Sequence, residues 1–350
     1  MFIGKIFYSL ERNVRFFSRL QDLSLVTKTD LHTENVTALL KILAKNAIKI
    51  SALKLDGFYS DYEPQLFHAL ICIIKSQEQL RKFSIVGGKF LEDFPKEYHG
   101  VISALESQNK SLREVTIMRC TCSAEFKVLM NCKNLEILRI NDCDDVDILE
   151  ANINTLELTS YMIDASSIVQ ILKKSGTLLQ RLSLFSTDEP TWEISLLLET
   201  IKSFCPNITY LNISDVEFST QFLEIIGNLR KLQYLTLCDI FEILDDEPEI
   251  LVMQFAKLLP LTLQYLDLRY TCLSSYIDRL LNNCYAPLKY LLIDRLDDKK
   301  KAKALIEFCI RKGSLKYVGV EKRLNLDDNI KKEVEGCVTL ISCERIVVNC

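Results

Sequence analysis

Leu232-Gln233-Tyr234-Leu235-Thr236-Leu237 places apolar residues at its first, fourth and sixth positions. The fourth and sixth alternate as in a strand, so both side chains point to one side of an extended chain. The first packs beneath them. The third and fifth, Tyr234 and Thr236, point the other way and stay available. One match to so loose a pattern means little. The pattern returns, however, at 20–25, 50–55, 80–85, 112–117, 135–140, 153–158, 179–184, 208–213, 263–268, 288–293 and 315–320. Leu20 to Leu315 covers 295 residues in eleven steps, a mean of about 27. Val338, Ile341 and Cys343 carry a weaker thirteenth copy.

That period falls within the range of leucine-rich repeats. Between copies the periodicity changes to that of a helix. Val36, Leu39, Leu40 and Leu43 stand at i, i+3, i+4 and i+7 after a Thr33 cap. Leu251, Phe255 and Leu258 repeat the pattern after Pro248, and residues 164–174 and 219–227 read as shorter helices led by Asp or Ser. The expected fold is therefore α/β: a leucine-rich-repeat solenoid, or horseshoe, with a parallel sheet on its concave face and helices on its convex face. The step from Leu135 to Ile153 is short and is expected to lack a helix, with a turn at 141–145 instead. Residues 1–19 are expected to form an N-terminal capping helix, its apolar face made by Ile3, Phe7, Leu10, Val14 and Phe17. Residues 20–337 carry about twelve repeats, and 338–350 form a C-terminal cap or a degenerate repeat.

Composition excludes several function classes. The 350 residues include 43 Lys+Arg against 47 Asp+Glu, a net charge of −4, which provides no strong basic field for nucleic acid. The basic run Lys299-Lys300-Lys301 follows an Asp pair and opens an expected helix. No apolar run is long enough to span a membrane, and Met1 to Leu20 does not read as a signal peptide. Thirteen cysteines without an export signal are expected to be reduced thiols in a cytoplasmic, or also nuclear, protein. Cys120, Cys122, Cys132 and Cys143 lack the paired C-x-x-C of structural zinc sites. The three histidines are scattered, and no phosphate-binding or nucleophile motif is present. No catalytic residue, metal or cofactor is expected.

Residues 132–143 read C-x-x-L-x-x-L-x-L-x-x-C, Cys205 precedes Ile208 at the same offset, and Cys120 takes the later cysteine position after Leu112. This resembles the cysteine-containing, ribonuclease-inhibitor-like class of leucine-rich repeats. The chain also looks like the fungal F-box-like/leucine-rich-repeat family. The resemblance implies the substrate-recognition half of a receptor for an SCF-type ubiquitin ligase. An F-box precedes the repeats in that family, whereas here nothing upstream of Leu20 reads as one. A Skp adaptor and cullin are thus implied only if an F-box is missing from this sequence. In architecture the chain also resembles GTPase-activating proteins for Ran, although it lacks their acidic tail. A scaffold without any ligase link is a further alternative.

Tyr210, Tyr234, Tyr265, Tyr290 and Tyr317 occupy the third position of five successive repeats. Parallel strands lie ~4.8 Å apart, so these rings should form a row. Asp215, Asp239, Asp267, Arg269, Asp294 and Arg295 lie beside them. Aromatic rings with a polar tip among charges of both signs fit a protein or peptide ligand on the concave face. A stacking ladder that merely stabilises the solenoid accounts for the same tyrosines. The expectation is a monomeric, non-catalytic protein-binding solenoid that uses this face.

Overall fold

The computed structural model describes residues 17–26, 33–57, 64–87, 98–120, 124–143, 152–160, 165–186, 194–241, 243, 247–296, 298–321 and 328–346. Ile3, Phe7, Leu10 and Val14, the Thr33 side chain, Asp144, Asp145 and Cys122 lie outside them. The chain forms two compact units that divide between Ser175 and Gly176.

In the first unit six strands run in chain order: β1 Asp22–Val26, β2 Ala52–Asp56, β3 Lys82–Val86, β4 Glu114–Met118, β5 Ile137–Asn141 and β6 Thr155–Ser160. Each pairs with the next in parallel and in repeat register, with Leu53 opposite Phe83 and Val115 opposite Leu138. Parallel neighbours require a crossover, which a 3₁₀ helix at Ala124–Asn131 supplies between β4 and β5 and α-helices supply before it. These are α1 Thr33–Asn46, α2 Pro64–Ser76 and α3 Tyr98–Ala104, and α4 Ala165–Ser175 closes the unit.

The second unit repeats the plan with β7 Arg181–Ser186, β8 Tyr210–Ser214, β9 Tyr234–Cys238, β10 Tyr265–Asp267, β11 Tyr290–Ile293, β12 Tyr317–Val320 and β13 Thr339–Ser342. All successive pairs are parallel. The helices are α5 Ile194–Phe204, α6 Thr220–Asn228, α7 Pro248–Leu258, α8 Ile277–Asn283, α9 Lys299–Lys312 and α10 Asp328–Cys337. Apart from the half-buried Leu20, Leu23 and Leu25 of the first copy and Val320 of the last, the first, fourth and sixth positions of the twelve copies are buried. Leu232, Leu235 and Leu237 have no exposed surface, and Leu263, Leu266 and Leu268 have none either. This chain is a leucine-rich-repeat solenoid.

Local chemistry sets the element ends. Ser219 accepts a hydrogen bond from the Phe222 amide and so caps α6, and Asp298 does the same for α9 through Lys300. Pro248 opens α7, where a missing amide proton is not needed. Gly313 ends α9 in the left-handed conformation, which costs little without a Cβ. The buried face of α7 is Leu251, Val252, Phe255 and Ala256; Leu258 turns to solvent instead. Phe218, Phe222 and Phe255 pack with ring centroids 5.3–6.5 Å apart and fill the space between α6 and α7. In the first unit two buried amides serve the backbone. Gln77 accepts from the Ile50 amide, and Gln108 accepts from the Leu80 amide while donating to the Gln77 and Ile74 carbonyls.

In six copies the eighth position turns the chain away from the strand. Gly57, Arg119, Asp142, Asp215, Asp239 and Tyr270 all stand there, and all have φ between 51° and 72°. Glycine adopts that conformation freely and Asp tolerates it better than most residues. The amides of Gly57, Arg119, Asp142 and Asp215 each donate to a carbonyl of the next repeat, which extends the ladder by one bond. Buried residues follow at the ninth position, among them Cys120, Cys143, Val216 and Ile240. The cysteines of the repeat signature are therefore core residues. Burial pushes the Cys132 thiol up to about 11 and the Cys205 thiol up to about 12. No group of His, Cys, Asp and Glu that could hold a metal occurs among the described residues. No described helix is long and apolar enough to cross a membrane.

Candidate functional site

The third and fifth positions form the sheet face directed away from the helices, and the two units differ there. In the first unit that face carries an ion-pair row. Lys82 Nζ lies 2.8 Å from Glu114, Arg139 pairs with the other Glu114 oxygen, and Arg139 Nε lies 2.8 Å from Glu157. Burial opposes ionisation of Glu114, but hydrogen bonds from Lys82 and Arg139 outweigh it and hold its pKa below 4.5. Charges on this face are largely answered by their neighbours.

On the second unit's face the row is aromatic. Tyr210, Tyr234, Tyr265, Tyr290 and Tyr317 stand opposite one another on five consecutive strands. Their ring centroids are 6.4, 6.1, 6.3 and 5.5 Å apart, and the last pair is stacked within 12°. These separations are those of favourable aromatic pairs. Arg181, the preceding third-position residue, places its guanidinium 4.2 Å from the Tyr210 ring centroid and closes the row with a cation–π contact.

Asp267 stands two residues beyond Tyr265, on the same face, and is only 2% exposed. Arg269 grips it through Nε at 3.0 Å and Nη2 at 2.8 Å, and the Arg269 amide adds a bond at 3.1 Å. The Tyr265 hydroxyl donates to it at 3.3 Å. A buried carboxylate needs this many donors to stay charged. Burial, then the neighbouring Asp267 charge, raises the Tyr265 pKa, so its proton stays on the hydroxyl. Next to this group, the Tyr270 amide donates to Asp294 at 2.9 Å and the Tyr270 hydroxyl donates to Glu321, which pushes the Tyr270 pKa up to about 12.

The structure thus brings together the five tyrosines with Asp267 and Arg269, and joins Asp294 to them through Tyr270. Tyr210, Tyr234 and Tyr290 are half-buried, Tyr317 is exposed and Tyr265 is buried at 7%. Asp215 and Asp239 stand at the rim, in the left-handed turns that end β8 and β9. Arg295 is exposed at the corresponding turn after β11. Arg181, Tyr270, Leu292, Gly319 and Cys343 were not expected at this face. The third-position alignment that finds the tyrosines also finds Arg181, and the fifth position finds Leu292 and Gly319.

Other features are less organised. An open polar cleft of about 720 Å³ lies between Glu78, Arg81, Glu106, Lys110 and Arg113. His68 Nε2 is 3.7 Å from Cys72 Sγ, the contact that i, i+4 spacing gives any two residues on an exposed helix face.

No protein-family model and no curated protein matches the chain. Solved structures do match it. A chain in the crystal structure of the Rad7 and Elc1 complex in yeast aligns with a TM-score of 0.49 at 14% identity, covering 97% of this chain and 87% of that one. A protein from Bacteroides fragilis gives 0.44 at 14%, covering 92% and 86%. The leucine-rich repeat-containing protein LegL7 from Legionella pneumophila gives 0.41 at 14%, covering 72% and 85%. The fold assignment rests on the strands themselves.

Proposed function

We propose that this protein is a non-catalytic solenoid whose tyrosine face in the second unit binds a protein or peptide. The observation that carries the reading is the row of five aligned tyrosines on a sheet face that no described α-helix covers. Rigid aromatic rings with polar tips supply large contact area at low entropic cost, and such residues dominate binding hot spots. The contrast with the first unit supports the choice of face, because there the open row is occupied by its own ion pairs.

The finer reading is that of the substrate-recognition half of an F-box/leucine-rich-repeat receptor in a fungal F-box-like family, working as a monomer in the cytoplasm or nucleus. It is supported by the cysteine-containing repeat signature at 132–143 and by buried thiols such as Cys132, Cys205 and Cys284 that form no disulfide, which suits a reducing compartment. Affinity purification from the source organism with mass spectrometry tests both levels. Wild type is compared with Tyr234→Ser/Tyr317→Ser, a half-buried and an exposed ladder position. A partner that is lost from the variant while the melting temperature holds supports recognition by this face. Skp adaptor and cullin retained by both proteins support the ligase role, and their absence leaves a scaffold without it. Partners unaffected by the substitutions contradict the choice of face.

A further inference from the structure

The open face of the second unit is not empty along its whole length. After β13 the chain does not turn toward the helices. It forms a single 3₁₀ turn, Cys343–Arg345, closed by the Ile346 amide donating to the Cys343 carbonyl at 3.0 Å. A 3₁₀ turn has three residues per turn, so residues i and i+3 share a side. Cys343 is accordingly buried and Ile346 half-buried, while Glu344 and Arg345 between them face solvent.

The inward side chains enter the tyrosine face. Cys343 forms one buried cluster with Tyr265 and Leu292, and Tyr234, Tyr290 and Ile346 pack against it. Gly319 gives them room. A Cβ at 319 would stand 3.0 Å from Leu292 Cγ, 3.1 Å from Cys343 Sγ and 3.1 Å from Ile346 Cδ1. This turn explains why Tyr265 is buried although it stands on a face that the helices leave open.

We infer that Tyr265, Leu292 and Gly319 form a peptide-binding seat, and that the chain's own Cys343–Ile346 turn is its resident, displaceable occupant. The inference rests on the proposed binding role of this face and adds the chemistry of the ligand. The seat takes a single turn of a protein chain with a small residue, two solvent-facing residues and then a branched aliphatic one. The partner supplies the same spacing and competes with the turn, so the turn sets a threshold for binding.

The test maps tyrosine acetylation by N-acetylimidazole in the full chain, under reducing conditions and read by mass spectrometry. In wild type the exposed Tyr317 reacts and Tyr265 is protected. In Ile346→Asp the turn leaves, and Tyr265 acetylation is expected to rise by about tenfold or more while amide exchange across β10–β12 keeps its protection. Adding the synthetic peptide of residues 341–346, Ile-Ser-Cys-Glu-Arg-Ile, restores protection of Tyr265, and the same peptide ending in Asp does not. Gly319→Ala, which crowds the turn without adding charge, gives a second route to the same release. The inference is overturned if β10–β12 lose exchange protection in both variants, because the turn is then part of the core. It is also overturned if Tyr265 stays protected in both, or if the peptide fails to restore protection. Peptide rebinding is independent of cellular partners, so it can succeed where the purification finds none, and the reverse outcome separates the two readings equally well.

Discussion

Asp267 is a charged residue placed where water cannot reach it, and three groups of its own neighbourhood keep it there. Removing one partner of such a pair leaves the other charge unanswered. Asp267→Ala is expected to cost about 3–5 kcal/mol, seen as a lower urea midpoint for the second unit. A variant that unfolds at the wild-type midpoint would show that Arg269 finds other partners. The rim aspartates obey a different constraint. At φ near 54°, Asp239→Gly should change stability by less than about 0.5 kcal/mol, whereas Asp239→Val should lose about 1–2 kcal/mol. If Asp239→Gly folds normally but weakens partner binding, the carboxylate contributes to recognition as well. None of this was legible from residue type alone. Arg119 and Tyr270 take the same left-handed turn as the aspartates, and a charge read as available at 267 is buried by Arg269 two positions on.

At the scale of the element, the apolar triplet specifies each strand because its three side chains have a single side on which to hide. The twelve stretches read as strands all carry one, and the helices at Thr33–Asn46 and Pro248–Leu258 fall on the 3.6-residue spacing. Face assignment within a helix was less legible. Leu258 continues the period of Leu251 and Phe255 yet stays 42% exposed at the last turn of α7, lying over Gly227 at the edge of the packed face. Cross-strand chemistry was legible only where one residue type recurs. Five tyrosines announce a row, but Lys82, Glu114, Arg139 and Glu157 do not, since they combine third and fifth positions. That ion-pair row has a pH signature. The folded pKa of Glu114 lies below its unfolded value near 4.5, so its contribution is complete above that value and is lost as pH falls through the folded one. Urea titrations should therefore show the stability difference between wild type and Arg139→Met shrinking from pH 6 to pH 3.5. A difference independent of pH would mean that the row contributes no electrostatic stability.

Over the whole molecule, the described strands are built on one repeat, and the two units differ on their open faces. The core positions are near-uniform Leu, Ile and Val, whereas the third and fifth positions carry ion pairs in one unit and aromatic rings in the other. The repeat pattern constrains those positions less than the core ones, so they are free to differ between the units. The tyrosine row is also where the last turn of the described chain comes to rest, with Cys343 and Ile346 packed on it. Sequence pattern could not reveal this, since Cys343 and Ile346 reach the face only after a 3₁₀ turn whose direction is decided by the space above Gly319.

In-cell photocrosslinking tests the central claim most directly, with p-benzoylphenylalanine placed at Tyr234 or Tyr317 on the second unit's face and at Ser84 or Thr116 on the first unit's face. Crosslinks to the same discrete protein from positions 234 and 317, and none from 84 and 116, are the predicted result. Crosslinks from 84 and 116 alone, or equally from all four positions, would contradict a tyrosine face that recognises a partner.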